Sequence, residues 1–121
     1  MPVRRVRITS EGRRTALIDR CAVAESARER MVGLLGREGL ADDEALWIVP
    51  CNSIHTWFMR FALDVVFLDP EGRVLRVAAC VPPFRMRLQR EARSVIELPA
   101  GRAAAVGIVP GEKLESVSVE R

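Results

Sequence analysis

The segment PCNSIHTWFMRFALDVVFLD, residues 50–69, holds the single histidine of the chain, His55, with Cys51 four positions before it, Thr56 and Trp57 directly after it, and Arg60 and Asp64 beyond. A cysteine and a histidine can form a nucleophile, the imidazole taking the thiol proton while a third group orients the ring. On an extended strand, however, side chains four positions apart stand roughly 13 Å from one another, too far for proton transfer unless Asn52 and Ser53 turn the chain. Cys51 and His55 are therefore weak catalytic candidates, because geometry comes before acidity in any such assignment. A metal held by His55 with Asp64 or Glu97 is a second constellation, but catalytic zinc sites take at least two His or Cys ligands. No metal and no cofactor are expected. Arginine offers a planar fork of donors matched to a carboxylate or phosphate. Arg37, His55, Thr56, Met59, Arg60 and Asp64 are accordingly the candidates for holding a small polar or anionic ligand. The competing roles are structural: an ion pair for Arg60 with Asp64, a hydrogen-bonded brace for His55, and core packing for Trp57, Phe58 and Phe61.

These residues need elements to position them. Val6 and Ile8 alternate with arginines, SEGR supplies turn residues, and TALIDRCAV follows, which predicts a β-hairpin opening the fold. Ser26 followed by Glu29 forms a capping box. Ala27, Met31, Leu34 and Leu35 then recur on one face, so a helix is predicted over about 26–35, with Gly36 as its left-handed stop. ADDE makes a turn, and ALWIV a short strand ending at Pro50. HTWFMR and DVVFLD, rich in β-branched and aromatic residues, read as strand, with His55, Trp57, Met59 and Phe61 on one side and Ile54, Thr56, Phe58 and Arg60 on the other. DPEG carries the proline and glycine of a type I turn, so RVLRVAACV is the return strand of a second hairpin. Pro82 and Pro83 break it, and the arginine-rich FRMRLQREAR reads as an exposed loop. SVIEL is another strand, residues 102–106 make one or two helical turns stopped at Gly107, and a last strand runs near 113–119. Strands outnumber helices and no βαβ alternation is visible. The expectation is a mainly β, α+β fold: a compact antiparallel barrel or sandwich with one helix packed on it and a short C-terminal helical turn.

Size and charge narrow the classes of function. The 121 residues fit a single domain able to bury its own core. Hydrophobic residues at 49% and charged residues at 29% are the proportions of a soluble globular chain. Eighteen arginines and one lysine against 16 acids leave a formal +3. These charges are interleaved with Asp and Glu, an excess too small to indicate nucleic acid. The N-terminal stretch lacks an apolar segment of signal type, and no apolar window approaches the length of a membrane span. A cytoplasmic location follows, with no nucleic acid and no membrane among the expected partners. Cys21, Cys51 and Cys80 are odd in number and carry no C-x-x-C pair, which points to free thiols in a reducing compartment.

The order of RERMVGLLGREGL, PCNSIHTWFMRFALDVVFLDPEGRVLRV, VPPFR and SVIELPAGRAAAVGIVPGEKL resembles the bacterial and archaeal domain-of-unknown-function family numbered 192, over about residues 15–118. The resemblance implies one compact, mainly β domain with a packed helix and no assigned reaction. It maps the family's motifs onto His55, Thr56, Met59, Arg60, Asp64 and Val65, onto Gly33, Leu34 and Arg37, and onto Glu97, Pro99 and Gly101. Ala62 and Phe84 depart from the proline and tryptophan of the family pattern. A binding domain with a polar cleft beside IHTWFMR is the leading expectation. A hydrolase- or transferase-like enzyme using Cys51 and His55 or a His55-held metal, and an interaction module without a small-molecule site, are the alternatives.

Overall fold

Turn chemistry sets two hairpins. Arg4–Ser10 (β1) and Ile18–Ala24 (β2) pair antiparallel across the turn where Gly12 adopts φ 88°. Leu63–Leu68 (β5) pairs with Val74–Val81 (β6) across Asp69–Gly72. In the second turn the Gly72 N–H donates to the Asp69 carbonyl at 3.0 Å, and the Asp69 carboxylate accepts the N–H groups of Glu71 and Arg73. A Cβ at position 72 would stand 2.6 Å from the Leu114 carbonyl oxygen, so the close approach of the two segments requires glycine.

The computed structural model describes residues 4–13, 15–26, 29, 30, 34 and 37–119. Its other elements are Glu44–Ile48 (β3), Ser53–His55 (β4), Met86–Leu88 (β7), Ser94–Pro99 (β8), Arg102–Val106 (α1) and Leu114–Ser118 (β9). Seven strands form one sheet in the order β6-β5-β8-β3-β2-β1-β9, and β4 with β7 forms a separate ribbon. The large sheet curls until its edges meet at one end, where Arg73 bridges Lys113 and the Leu114 N–H donates to the Gly72 carbonyl at 2.9 Å. The fold is mostly β, a curled half-barrel.

Three expectations change. The sheet is mixed, because β2 and β3 run parallel, Cys21 opposite Ala45 and Val23 opposite Trp47. A parallel pair needs a long crossover, and residues 25–43 supply it. The expected strand through IHTWFMR ends at His55, where the Thr56 backbone and hydroxyl turn the chain against residues 82–85. The expected loop FRMRLQREAR contains β7, which pairs with β4 from Ser53–Leu88 to His55–Met86.

Of the helix expected over 26–35, Glu29, Arg30 and Leu34 are helical, and its other positions from 27 to 35, with the stop at Gly36, lie outside the described residues. The Glu29 N–H donates to Ser26 Oγ at 3.1 Å, and Glu29 Oε1 accepts the N–H of Glu25 at 2.6 Å. The cap therefore closes one residue earlier than the expected reciprocal bond to Ser26. The C-terminal helical turn appears as α1, ended by Gly107 at φ 77°.

Strand alternation sorts the core into two clusters, one on each face of the sheet. Val66, Leu68, Ile96 and Leu98 join Ile8, Ile18 and Leu114 in the first. Leu63, Val65, Phe67 and Val95 join Leu34, Ile48, Ile54 and Met59 in the second, beneath the β4–β7 ribbon. β5 is buried along its whole length because both its faces are covered.

Candidate functional site

Period-two alternation on β8 puts Glu97 on the same side as Val95, inside the second cluster, where it is fully buried. A carboxylate there requires a partner, and Arg30 provides it. Nε donates to Oε1 at 2.7 Å and Nη2 to Oε2 at 2.6 Å, the two parallel bonds of a guanidinium–carboxylate fork. Nη2 also donates to the His55 carbonyl at 2.9 Å, and Met59 Sδ lies 3.9 Å away. Arg30, only 8% exposed, thus ties the helical segment to β8 and to the end of β4. Its third nitrogen, Nη1, has no hydrogen-bond partner among the described residues.

Beside this pair opens a cleft of about 150 Å³, lined by Arg30, Ile48, Pro50, Cys51, Ser53, Ile54 and His55. Cys51 and His55 both face it without forming a dyad. The Cys51 thiol donates to the Ser53 carbonyl at 3.1 Å, and His55 Nδ1 accepts the Trp57 N–H at 3.3 Å. Burial, with the Glu97 charge, pushes the Cys51 thiol above its ordinary value, against the opposing effects of the Ser53 backbone and Arg30. Cys21 is pushed up to about 12 by burial, which leaves it about a thousandfold less thiolate than an ordinary thiol. A maleimide or iodoacetamide time course at neutral pH is therefore expected to label exposed Cys80 first, half-buried Cys51 more slowly, and Cys21 only on unfolding. Peptide mass mapping reads the order, and prior labelling of Cys51 would show an activated thiol.

The other expected site residues are dispersed. Arg37 donates to Glu44 at 2.8 Å at the start of β3. Burial alone would raise Glu44, but the Ala41 N–H and the Arg37 and Arg20 guanidinium groups outweigh it, and the carboxyl is held below its usual range. Arg60 is exposed and has no hydrogen-bond or ion-pair partner among the described residues, so the expected Arg60–Asp64 pair is absent there. Asp64 alternates with Val66 and Leu68 onto the opposite face of the sheet from Glu97. Oδ1 accepts the N–H groups of Cys80 at 2.8 Å and Gly101 at 3.0 Å, and Oδ2 accepts that of Ala103 at 2.9 Å. Met59 is core. Thr56 is buried, its hydroxyl donating to the Pro82 carbonyl at 2.7 Å and accepting the Arg85 N–H at 2.8 Å.

The metal constellation of His55 with Asp64 or Glu97 is not assembled, since Asp64 lies across the sheet and Glu97 is held by Arg30. Among the described residues no group of three His, Cys, Asp or Glu side chains is placed to hold a metal ion. Two features escaped the sequence reading: Arg30, and the exposure of Trp57, Phe58 and Phe84. The first had a signal, because Arg30 precedes Leu34 by four positions and so falls on the apolar stripe of the helix.

Known proteins share this arrangement of chain. A UPF0127 protein of Pyrococcus horikoshii is 28% identical over 114 residues, covering 89% of this chain and 96% of the relative. One from Pyrococcus furiosus is 34% identical over 64 residues, and the matched part spans about half of it, 54%. A crystal structure from Sinorhizobium meliloti, described as that of a candidate transcription regulator, superposes with a TM-score of 0.82 at 22% identity and 96% coverage of both chains, which establishes a shared fold. A protein of unknown function from Novosphingobium aromaticivorans gives 0.76 at 27% identity, covering 92% of this chain and 83% of its own. The match to the family DUF192, Uncharacterized ACR, runs over residues 6–116 and takes in the Arg30–Glu97 fork, the cleft and Asp64 together; this chain belongs to that family.

Proposed function

We propose that the protein is a non-catalytic binding domain that holds a small polar or anionic ligand in the cleft between Arg30, Cys51 and His55. The observation that carries this reading is Arg30, a largely buried arginine that lines the cleft and whose Nη1 has no hydrogen-bond partner among the described residues. Nη1 is open to the cleft and not sealed from water, so it is a donor that an acceptor oxygen of a ligand can meet while Glu97 and the His55 carbonyl hold the rest of the guanidinium in place. Glu97 already balances the Arg30 charge, so recognition works through a directed hydrogen bond more than through a positive field. Ile48, Pro50 and Ile54 supply the apolar wall, and Ser53 and His55 the polar rim. At about 150 Å³ the cleft is half the lower end of ordinary ligand sites, about 300 Å³. The ligand class is therefore a molecule of few heavy atoms carrying a carboxylate, carbonyl or small oxoanion.

A thermal-shift screen of short carboxylates, amides and oxoanions tests this. A ligand at a hundredfold its Kd adds about 2.7 kcal/mol of stability to the native state. The shift is expected in the wild type, reduced in His55→Ala and lost in Cys51→Trp, whose indole fills the cleft. Equal shifts in all three proteins, or none for any compound, would refute the reading.

A further inference from the structure

Outside the cleft, five large apolar side chains stand exposed on the β4–β7 ribbon and its two adjoining turns: Trp57, Phe58, Phe84, Met86 and Leu88, with Phe58 at 74% and Phe84 at 53%. They form one continuous patch. Trp57 stacks on His55 at 5.8 Å and meets Phe84 at 6.2 Å, and Phe84 meets Phe58 edge-to-face at 5.7 Å. The backbone works to hold these rings outward. Phe58 and Phe84 sit at φ 65° and 63°, a left-handed conformation in which bulky side chains are outliers. Buried Thr56 fixes both turns at once, its carbonyl accepting the Phe84 N–H at 2.9 Å and the Met59 N–H at 3.3 Å. Strain retained to expose a ring is the kind found at sites of interaction.

We propose that this patch is a docking surface for an anionic lipid membrane. The charge around it sets the sign: exposed Arg60, Arg85 and Arg90 lie within residues 53–62 and 82–90, which contain no acid, and Glu91 just beyond accepts from Gln89. A second copy of the chain meeting the same face across a two-fold axis would set these arginines against one another. Single-stranded nucleic acid would use rings set parallel to successive bases, whereas here Phe58 and Phe84 meet edge-to-face and Trp57 tilts against Phe84, and aliphatic Met86 and Leu88 have nothing to stack. Lipid fits both parts. Phenylalanine, methionine and leucine enter the acyl boundary, tryptophan sits at headgroup level, and arginines reach the phosphates. The proposal is independent of the cleft, and it replaces the sequence expectation that no membrane is engaged.

Co-sedimentation with phosphatidylcholine vesicles, with and without a fraction of phosphatidylglycerol, provides the test. The wild type is expected to pellet with the anionic vesicles and to be released as salt rises. In a Trp47→Phe background, Trp57 emission shifts to the blue on binding. Phe58→Asn and Phe84→Asn suit the left-handed backbone, so they remove the rings without loss of fold, which circular dichroism checks. Each is expected to weaken partitioning about tenfold or more, and Arg60→Gln with Arg85→Gln to erase the preference for anionic vesicles. The proposal is overturned by failure to pellet, by equal pelleting of wild type and the double asparagine variant, or by a solution dimer or acidic-peptide complex that those asparagines abolish while vesicle binding stays unchanged.

Discussion

Replacing Glu97 with alanine is expected to lower the free energy of unfolding by about 3–5 kcal/mol. A domain of this size has a total of about 5–15 kcal/mol, so the variant sits near the edge of folding. The effect comes from what is left behind. Arg30 would keep its charge inside a cluster of Ile54, Met59 and Val95, with the His55 carbonyl as its remaining strong acceptor among the described residues. Replacing both partners, Arg30→Met with Glu97→Leu, should recover most of the loss, because an apolar pair of similar volume removes the desolvation cost as well as the attraction. Urea denaturation of wild type, both singles and the double gives the coupling directly. A double variant no better than Glu97→Ala would show that the loss arises from packing and not from an orphaned charge.

How much of this was legible depended on whether a residue's role was local. The Ser26–Glu29 cap, the Asp69–Gly72 turn and the stop at Gly107 each follow from a few adjacent residues, and the turn and the stop formed where those residues placed them. Strand partnership is not local. Alternation assigns faces but is silent on neighbours, so the parallel pairing of β2 with β3 had no signature beyond the length of the intervening crossover. HTWFMR has strand-forming residue types, and its turn depends on Thr56 finding Pro82 and Arg85, 26 and 29 positions away.

The site was misgrouped for the same reason. Arg37, His55, Arg60 and Asp64 drew together because their types suggested one chemistry, yet Asp64 lies across the sheet and Arg37 is engaged by Glu44. The better signal was discord with surroundings: Glu97 is the one charge in SVIEL, and Arg30 the charge on an apolar helical stripe. Two such residues, each out of place alone, are the natural partners of one another.

Asp64 answers the question that its sequence position raised, because its carboxylate is committed to backbone. The β5–β6 register shifts between Leu63–Val81 and Val65–Ala78, so β6 carries an extra residue opposite Asp64. The Cys80 N–H freed by that bulge donates to Oδ1. The same side chain caps α1 from outside, since Gly101 has no side chain with which to do so. Asp64→Ala is expected to cost about 2–4 kcal/mol, the buried Ala103 N–H left unmet contributing about 1–3 and the lost bonds to the more exposed Cys80 and Gly101 N–H groups about 0.5 each. Asp64→Asn keeps the shape but turns a donor toward the Ala103 N–H, and about 1.5–3 kcal/mol should go with that one charge-assisted bond. Hydrogen exchange distinguishes this from general loosening: Cys80, Gly101 and Ala103 amides should exchange faster while the β1–β2 ladder stays protected. A variant that melts with the wild type and differs only in ligand affinity would return Asp64 to the binding site, and the brace would have to be sought elsewhere.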